Sequence, residues 1–137
     1  MTAIVAVGAI VFDADGRVLL IERGTPPGAG LWSVPGGRLE GAETLAQAVA
    51  REVREETGLV VEVGPLACVI ERMGDDYHFV ILDYLARVIG GQLAPASDAR
   101  DARFVTTDEL AALPLTDGLV AVLERARATH ATWSTSH

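Results

Sequence analysis

Three glutamates near the middle of the sequence have the spacing that metal-assisted chemistry requires. Glu52, Glu55 and Glu56 lie in the segment REVREETG, with Glu52 and Glu56 four residues apart. On an α-helix this spacing places the three carboxylates on one side, within about a third of the circumference. Their mutual repulsion is relieved by a hard divalent cation such as Mg²⁺, which prefers oxygen ligands. The segment therefore predicts a Mg²⁺ platform.

Arg51 directly precedes these glutamates and can pair with a neighbouring carboxylate, for which Glu43 is the candidate. Such a pair would fix the direction in which the cluster points. The alternative interpretation is that a run of arginine and glutamate is a solvated helix face, as most such runs are. The spacing of the surrounding residues favours the metal platform.

The element that must position the glutamates is a helix from Thr44 to Thr57. Thr44 and Gln47 form a potential capping box, and Gly58 suits a left-handed stop. An apolar stripe recurs every four residues and consists of Leu45, Val49 and Val53. The helix would thus be anchored on a core beside its carboxylates.

The rest of the chain is rich in strand signals. Segments 3–12, 17–22, 60–71 and 77–88 are predicted as strands, and the turn at 13–16 predicts a hairpin between the first two. Thr106 and Glu109 predict a cap for a short helical piece, a last helix is predicted from Thr116 to Ala128, and the tail from about residue 130 is predicted to fray. We expect a single domain over residues 1–137.

Composition narrows the classes of protein. The 137 residues are 50% hydrophobic, enough for one core. Lysine and arginine number 11 against 19 aspartates and glutamates, and the net charge of -8 argues against nucleic acid as a partner. The apolar start at 3–12 is shorter than a membrane span, and the single cysteine, Cys68, forms no internal disulfide. A cytoplasmic protein without membrane contact is the expectation.

Other hydrolytic chemistries lack their usual residues. The histidines at 78, 130 and 137 are far apart, with no second histidine or cysteine at zinc-ligand spacing. The sequence contains neither a G-x-S-x-G segment nor a P-loop. A water activated by metal is therefore the best-supported nucleophile.

The segment from Gly37 to Leu59 resembles the Nudix box, G-x5-E-x7-R-E-U-x-E-E-x-G-U, in which U is aliphatic. Every position fits, with Val53 and Leu59 as the aliphatic residues. Seven fixed residues should match by accident on the order of once in a hundred million windows. The resemblance implies the Nudix fold, an α+β arrangement in which a mixed β-sheet lies between α-helices in α/β/α layers. It also implies hydrolysis of a nucleoside diphosphate linked to a further group X, by water attack at phosphorus.

The resemblance assigns roles residue by residue. Glu52, Glu55 and Glu56 match the metal-binding glutamates, with Mg²⁺ as cofactor and Mn²⁺ as a substitute, and the backbone carbonyl of Gly37 adds an oxygen ligand. Glu52 is the first candidate for general base, and Glu55 and Arg51 complete the catalytic set.

Three further residues are candidates with open alternatives. Asp98 lies where some relatives place an extra metal ligand or base, but it also fits an ordinary loop acid. Arg23 matches a position that often faces substrate phosphate, although a surface arginine is nearly as good an interpretation. Trp32 is a candidate for stacking on a base, whereas core packing is the more common role of such a tryptophan.

The substrate is less defined than the reaction. A nucleoside triphosphate ranks first and an ADP-ribose-like diphosphate second. The segment Arg72 to Asp76 lacks the proline that ADP-ribose hydrolases of the family often carry, and Tyr77 only weakly supports a dinucleoside polyphosphate. A catalytically silent nucleotide-binding or regulatory module is the competing class, which the intact glutamates oppose. Many relatives are homodimers, so the resemblance leaves a homodimer open.

Overall fold

The computed structural model describes residues 2–136, with side chains for residues 2–134. Its strands are β1 (Ile4–Val11), β2 (Val18–Arg23), β3 (Trp32–Ser33), β4 (Gly36–Arg38), β5 (Leu59–Met73), β6 (His78–Gly91) and β7 (Ala99–Val105). Its helices are α1 (Leu45–Thr57), α2 (Thr107–Leu110) and α3 (Leu119–Ser136). In the described part of the chain, no helix is both long and apolar enough to cross a membrane.

The strands form two sheets. The larger sheet has the order β4-β1-β6-β5, with β1 and β6 parallel and the other pairs antiparallel. The smaller one is antiparallel, with the order β3-β2-β7. The predicted hairpin of β1 and β2 is wrong, because the two segments pair only at Phe12 and Val18. Because β4 and β6 occupy the two edges of β1, β2 pairs instead with β3 and β7 in the smaller sheet.

Two separate cores show that the sheets lie between helices. Val7 and Ala9 of β1 pack with Val49 of α1, whereas Ile10, the residue after Ala9, packs with Leu123 of α3. Successive side chains of a strand point to opposite faces, so the two helices cover opposite sides of β1. The same alternation in β2 extends both cores to the smaller sheet. The α/β/α layering predicted for this chain is confirmed, with two sheets in place of one.

The boundaries of α1 are those that the sequence predicts. Thr44 has extended backbone angles and forms the reciprocal capping box with Gln47, whose backbone N–H donates to Thr44 Oγ1 at 3.1 Å. Gly58 ends the helix with φ 77°, a left-handed conformation in which glycine has no side-chain penalty. The Thr106 and Glu109 capping box of α2 is confirmed as well.

Helix α3 is longer than the sequence predicts. It begins at Leu119 and continues to Ser136, past the predicted end at Ala128 and through the segment predicted to fray. His130 stacks near Phe12 with ring centroids 4.9 Å apart, and Trp133 is buried. These aromatic contacts with a distant strand hold the last turns, and local sequence signals do not reveal them.

The packing of the last turns of α3 can be tested by shortening one side chain. Because Trp133 is buried, Trp133→Ala should lower the free energy of unfolding by about 3–5 kcal/mol, as measured by urea denaturation. Val120→Ala, at an exposed position of the same helix, is the control and should change it by less than ~0.5 kcal/mol. Equal effects of the two substitutions would show that the helix end is frayed after all.

Candidate active site

Glu56 is the most buried carboxylate of the acidic cluster. It lies in the last turn of α1 with 5% of its surface exposed, and its Oε1 accepts a hydrogen bond from the Gly36 backbone N–H at 2.8 Å. Burial raises the pKa of Glu56 to about 8, and the hydrogen bond from Gly36 only partly opposes this. The negative charge of Glu52 raises this pKa further. A buried carboxylate that repels its neighbour is suited to binding a cation.

Glu52 lies one turn earlier on the same face of α1 and packs against bare backbone. A methyl group on Gly37 would lie 2.5 Å from Glu52 Oε1, so a larger residue here would displace this carboxylate from its position. Burial raises the pKa of Glu52, while its contact with Arg51 lowers it. Gly36 and Gly37 therefore give β4 a surface of main chain beside the buried Glu56 and the partly buried Glu52.

Arg51 organises the outer part of the cluster. Its guanidinium donates to Glu43 Oε1 at 2.7 Å and to Glu43 Oε2 at 2.9 Å, a forked pair. Its Nη1 also donates to Glu52 Oε1 at 2.8 Å and to Glu55 Oε2 at 3.3 Å. These hydrogen bonds lower the pKa of Glu43 and raise that of Arg51 above its already high value. The predicted Arg51–Glu43 pair is confirmed, and Glu55, whose side chain is 47% exposed, is held by the longest of these hydrogen bonds.

The donor set fits a hard divalent cation. Within the described residues, no three His, Cys, Asp or Glu side chains already converge on one point. Yet Glu56 is buried and the Glu52 side chain is only 12% exposed. The two carboxylates are close enough for the charge of Glu52 to raise the pKa of Glu56, and they offer only oxygen atoms. Mg²⁺ usually takes one or two carboxylates and keeps water or phosphate in its remaining positions. Two carboxylates with an open side therefore suit Mg²⁺ better than a closed all-protein site.

Asp98 and Arg23 lie near the inner end of the cluster. The charge of Asp98 raises the pKa of Glu56 and the charge of Arg23 lowers it, so both are close to this carboxylate. The Gly24 backbone N–H donates to the Asp98 carbonyl at 2.7 Å, and Arg23 Nε donates to the Pro27 carbonyl at 2.7 Å. The end of β2 and the loop before β7 thus meet at the end of α1.

Trp32 occupies a position that supports the core-packing alternative. Its side chain is 4% exposed, within the core between the sheets and α3. The guanidinium of Arg103 covers the ring at 4.6 Å from its centroid. With one face covered and the ring buried, Trp32 is not placed to stack on a base.

Sequence reasoning missed Asp83, the other strongly buried carboxylate among the described residues. Asp83 lies in β6 and is 3% exposed. Burial raises its pKa to about 6, and the charge of Arg72 opposes this. A single charged residue inside the apolar run VILDYLA is the signal that marks it, since aspartate is rare in a buried strand.

Comparison with known proteins identifies the family. A family model described as "NUDIX domain" matches residues 2–126, and the chain belongs to this family. It is 38% identical over 108 residues to an ADP-ribose pyrophosphatase of Methanocaldococcus jannaschii, covering 77% of this chain and 63% of the relative. It is 40% identical over 115 residues to a putative 8-oxo-dGTP diphosphatase 2 of Mycobacterium tuberculosis, covering 80% of this chain and 77% of that one.

A solved structure agrees with the family assignment. The crystal structure of a MutT NUDIX hydrolase from Burkholderia pseudomallei superposes with a TM-score of 0.82 and 32% identity, covering 91% of this chain and 98% of that chain. The chain is thus nearly coextensive with the bacterial structure. It spans less than two thirds of the archaeal relative's length.

The pH dependence of stability tests the burial of Asp83. Its pKa is near 4 in an unfolded chain and is raised to about 6 by folding. The folded chain then binds more protons, so the free energy of unfolding should fall by ~3 kcal/mol as the pH rises through this range. Asp83→Asn cannot ionise, and urea denaturation should show it gaining stability over wild type by that amount.

The matched control for this test is Asp76→Asn, in the exposed turn before β6. Its stability relative to wild type should stay constant across the same pH range. A constant difference for Asp83→Asn as well would contradict the raised pKa.

Proposed function

We propose that this chain is a Mg²⁺-dependent hydrolase that cleaves the pyrophosphate of a nucleoside diphosphate linked to X. The observation that carries the proposal is the buried carboxylate of Glu56 beside the partly buried carboxylate of Glu52, both against the side-chain-free backbone of Gly36 and Gly37. Burying two like charges costs free energy unless a cation compensates them. The names of the archaeal and mycobacterial relatives, a pyrophosphatase and a diphosphatase, support the same reaction.

The side chains take distinct roles in this proposal. Glu52, Glu55 and Glu56, with the Gly37 carbonyl, would hold Mg²⁺ or Mn²⁺, and Asp98, whose charge acts on Glu56, is the candidate for a further oxygen ligand. When bound, the metal supplies a Lewis acid that lowers the pKa of water and neutralises phosphate oxygens. Glu52 accepts the proton of the attacking water. Arg51 acts as a positioning residue through its hydrogen bonds to Glu43 and Glu52.

Arg23 is the proposed contact for substrate phosphate. Its Nε donates a hydrogen bond to the Pro27 carbonyl, and its backbone is fixed by hydrogen bonds with Leu31 and Gly30. The rest of its guanidinium fork can donate to a phosphate oxygen, for which the planar geometry is suited. Arg23 also supplies positive charge close to Glu56, where the other nearby charges are negative.

The substrate class follows the order expected from the sequence. A nucleoside triphosphate comes first and an ADP-ribose-like diphosphate second, and the mycobacterial and archaeal relatives are named for these two classes. Dinucleoside polyphosphates come third. A single domain, a cytoplasmic location and a homodimer remain predictions.

A substrate panel tests the proposed activity against the silent-module alternative. Nucleoside triphosphates, ADP-ribose, nucleotide sugars and dinucleoside polyphosphates are incubated with Mg²⁺, with Mn²⁺ and with chelator, and product release is measured. We expect metal-dependent cleavage of one class well above the others. Tight binding of a nucleotide without cleavage of any compound would favour a regulatory module.

The proposed metal-binding role of Glu56 predicts that a single, nearly isosteric substitution strongly lowers turnover. Glu56→Gln keeps the shape of the side chain and removes its charge, so it should preserve the fold and lower turnover by at least ~100-fold, with weaker Mg²⁺ binding. Steady-state kinetics and Mg²⁺ titration measure the two effects. Glu124→Gln on the exposed side of α3 is the matched control. Near-normal turnover of Glu56→Gln would remove Glu56 from the metal site.

The position of attack has its own test. Hydrolysis in ¹⁸O-labelled water should place the label on a phosphate product, because the proposed nucleophile attacks phosphorus. Mass spectrometry of the products locates the label. Label on the sugar carbon would exclude this mechanism.

A further inference from the structure

Ser97, in the loop before β7, has a backbone conformation that is unusual for its residue type. Its φ is 57°, and it is the only non-glycine residue with positive φ in the described part of the chain. Residues other than glycine are disfavoured in this left-handed region, because the Cβ atom crowds the backbone. The side chain of Ser97 is exposed and forms no hydrogen bond with the described residues that could offset this cost. The backbone is therefore strained at this position.

Ser97 and Asp98 are the two central residues of a tight turn. The Ala99 backbone N–H donates to the Ala96 carbonyl at 3.1 Å, which closes the turn. Turns with a positive φ at the first central residue usually carry glycine there. On the side before the turn, the Ala96 N–H donates to the Glu56 carbonyl at 3.2 Å. The turn is thus attached to the end of α1 at the residue whose carboxylate is buried.

The other side of the turn is attached to the end of β2. The Gly24 backbone N–H donates to the Asp98 carbonyl at 2.7 Å, and Ala99 pairs with Arg23 between the strands. Ala99 is also buried. Because the chain is held before and after the turn, the backbone angles of Ser97 determine the direction in which the Asp98 side chain leaves it.

The direction of the Asp98 side chain bears on the acidic cluster. Its charge acts on Glu56 and raises the pKa of that buried carboxylate, so the two groups interact. A hard cation bound by their oxygen atoms would offset the repulsion between them. Strained backbone persists where the surrounding structure fixes it, and it is concentrated at functional sites. The strain at Ser97 therefore lies where it can determine how these two carboxylates are arranged.

We propose that Ser97 is a positioning residue of the metal site, because its left-handed conformation directs the carboxylate of Asp98 toward Glu56. This inference rests on the proposed function, since it concerns the metal site of the same reaction. Ser97 touches neither metal nor substrate and acts only through Asp98. A purely structural role of Ser97 would change stability, but it would not change metal binding in a way that depends on Asp98.

Substitutions at position 97 can change the strain in opposite directions. Ser97→Gly accepts a positive φ without strain, so the turn should keep its shape. Ser97→Val adds a branched Cβ, which is strongly disfavoured at positive φ and should turn Asp98 away from Glu56. Ser97→Thr is branched in the same way and keeps the hydroxyl, so it serves as a milder second variant. Ser134→Val, at an exposed position of α3, is the matched control.

The main measurement is the dissociation constant of Mn²⁺ in the absence of substrate, by calorimetric titration of the full chain. Each variant at position 97 is also made in an Asp98→Asn background, and urea denaturation checks its fold. We expect Ser97→Gly and Ser134→Val to bind Mn²⁺ within ~2-fold of wild type. Ser97→Val should bind at least ~10-fold more weakly, as when other residues that orient a metal ligand are changed. In the Asp98→Asn background, Ser97→Val should have no further effect.

Two results would each overturn the inference. The first is Mn²⁺ binding by Ser97→Val within ~2-fold of wild type, whatever its urea midpoint, because the strain would then have no effect on the metal site. The second is an equal loss of affinity with and without Asp98, which would show that Ser97 does not act through that carboxylate. If Ser97→Val does not fold, the same two criteria apply to Ser97→Thr.

The positioning role and the proposed hydrolysis fail separately. If wild type binds Mn²⁺ but hydrolyses no nucleotide, while the loss in Ser97→Val depends on Asp98, the hydrolysis fails and the positioning role stands. If wild type hydrolyses a nucleotide only with metal, while Ser97→Val binds Mn²⁺ as wild type does, the hydrolysis stands and the positioning role fails.

Discussion

The burial of Glu56 at the end of α1 is the constraint on which the site depends. A carboxylate that is 95% buried needs a fixed donor, and the Gly36 backbone N–H provides it. That contact requires β4 to lie against the last turn of α1. The helix must therefore end directly after this turn. Gly58 ends the helix, and the carbonyl of Glu56 accepts a hydrogen bond from the Ala96 backbone N–H. Through these contacts β4, α1 and the loop before β7 meet at Glu56.

Electrostatic balance differs between the two ends of the acidic cluster. Arg51 is the cation at its outer end, where it contacts Glu43, Glu52 and Glu55. Glu56 lies beyond the reach of that guanidinium, and the charge of Arg23 is the attractive one that acts on it. The outer carboxylates thus have a cation in contact, whereas the buried end of the helix has none in contact with Glu56, and burial raises its pKa. The inner end is therefore where a bound cation would stabilise the ionised carboxylate.

Local patterns predicted the helical part of the site, and long-range packing determined what they missed. Thr44, Gln47 and Gly58 act within a few residues of one another, so the bounds of α1 were readable. The division of β1 and β2 between two sheets depends on partners that lie 25 or more residues further along the chain. The length of α3 likewise depends on Phe12 at the other end of the chain. Sequence spacing carries no information about such contacts.

Asp83 and the glutamates lie on opposite sides of the larger sheet. The glutamates belong to the side covered by α1, where the backbone hydrogen bond to Glu56 and the forked pair of Arg51 fix their geometry. Asp83 belongs to the side covered by α3, where its carboxylate packs against the backbone of Gly8. Gly8 pairs with both Asp83 and Gly36, so main chain rather than packed side chains lies between the two carboxylates at this register. A substitution at Asp83 should therefore leave the geometry of the glutamates unchanged, because the contacts that fix them lie on the other side of the sheet.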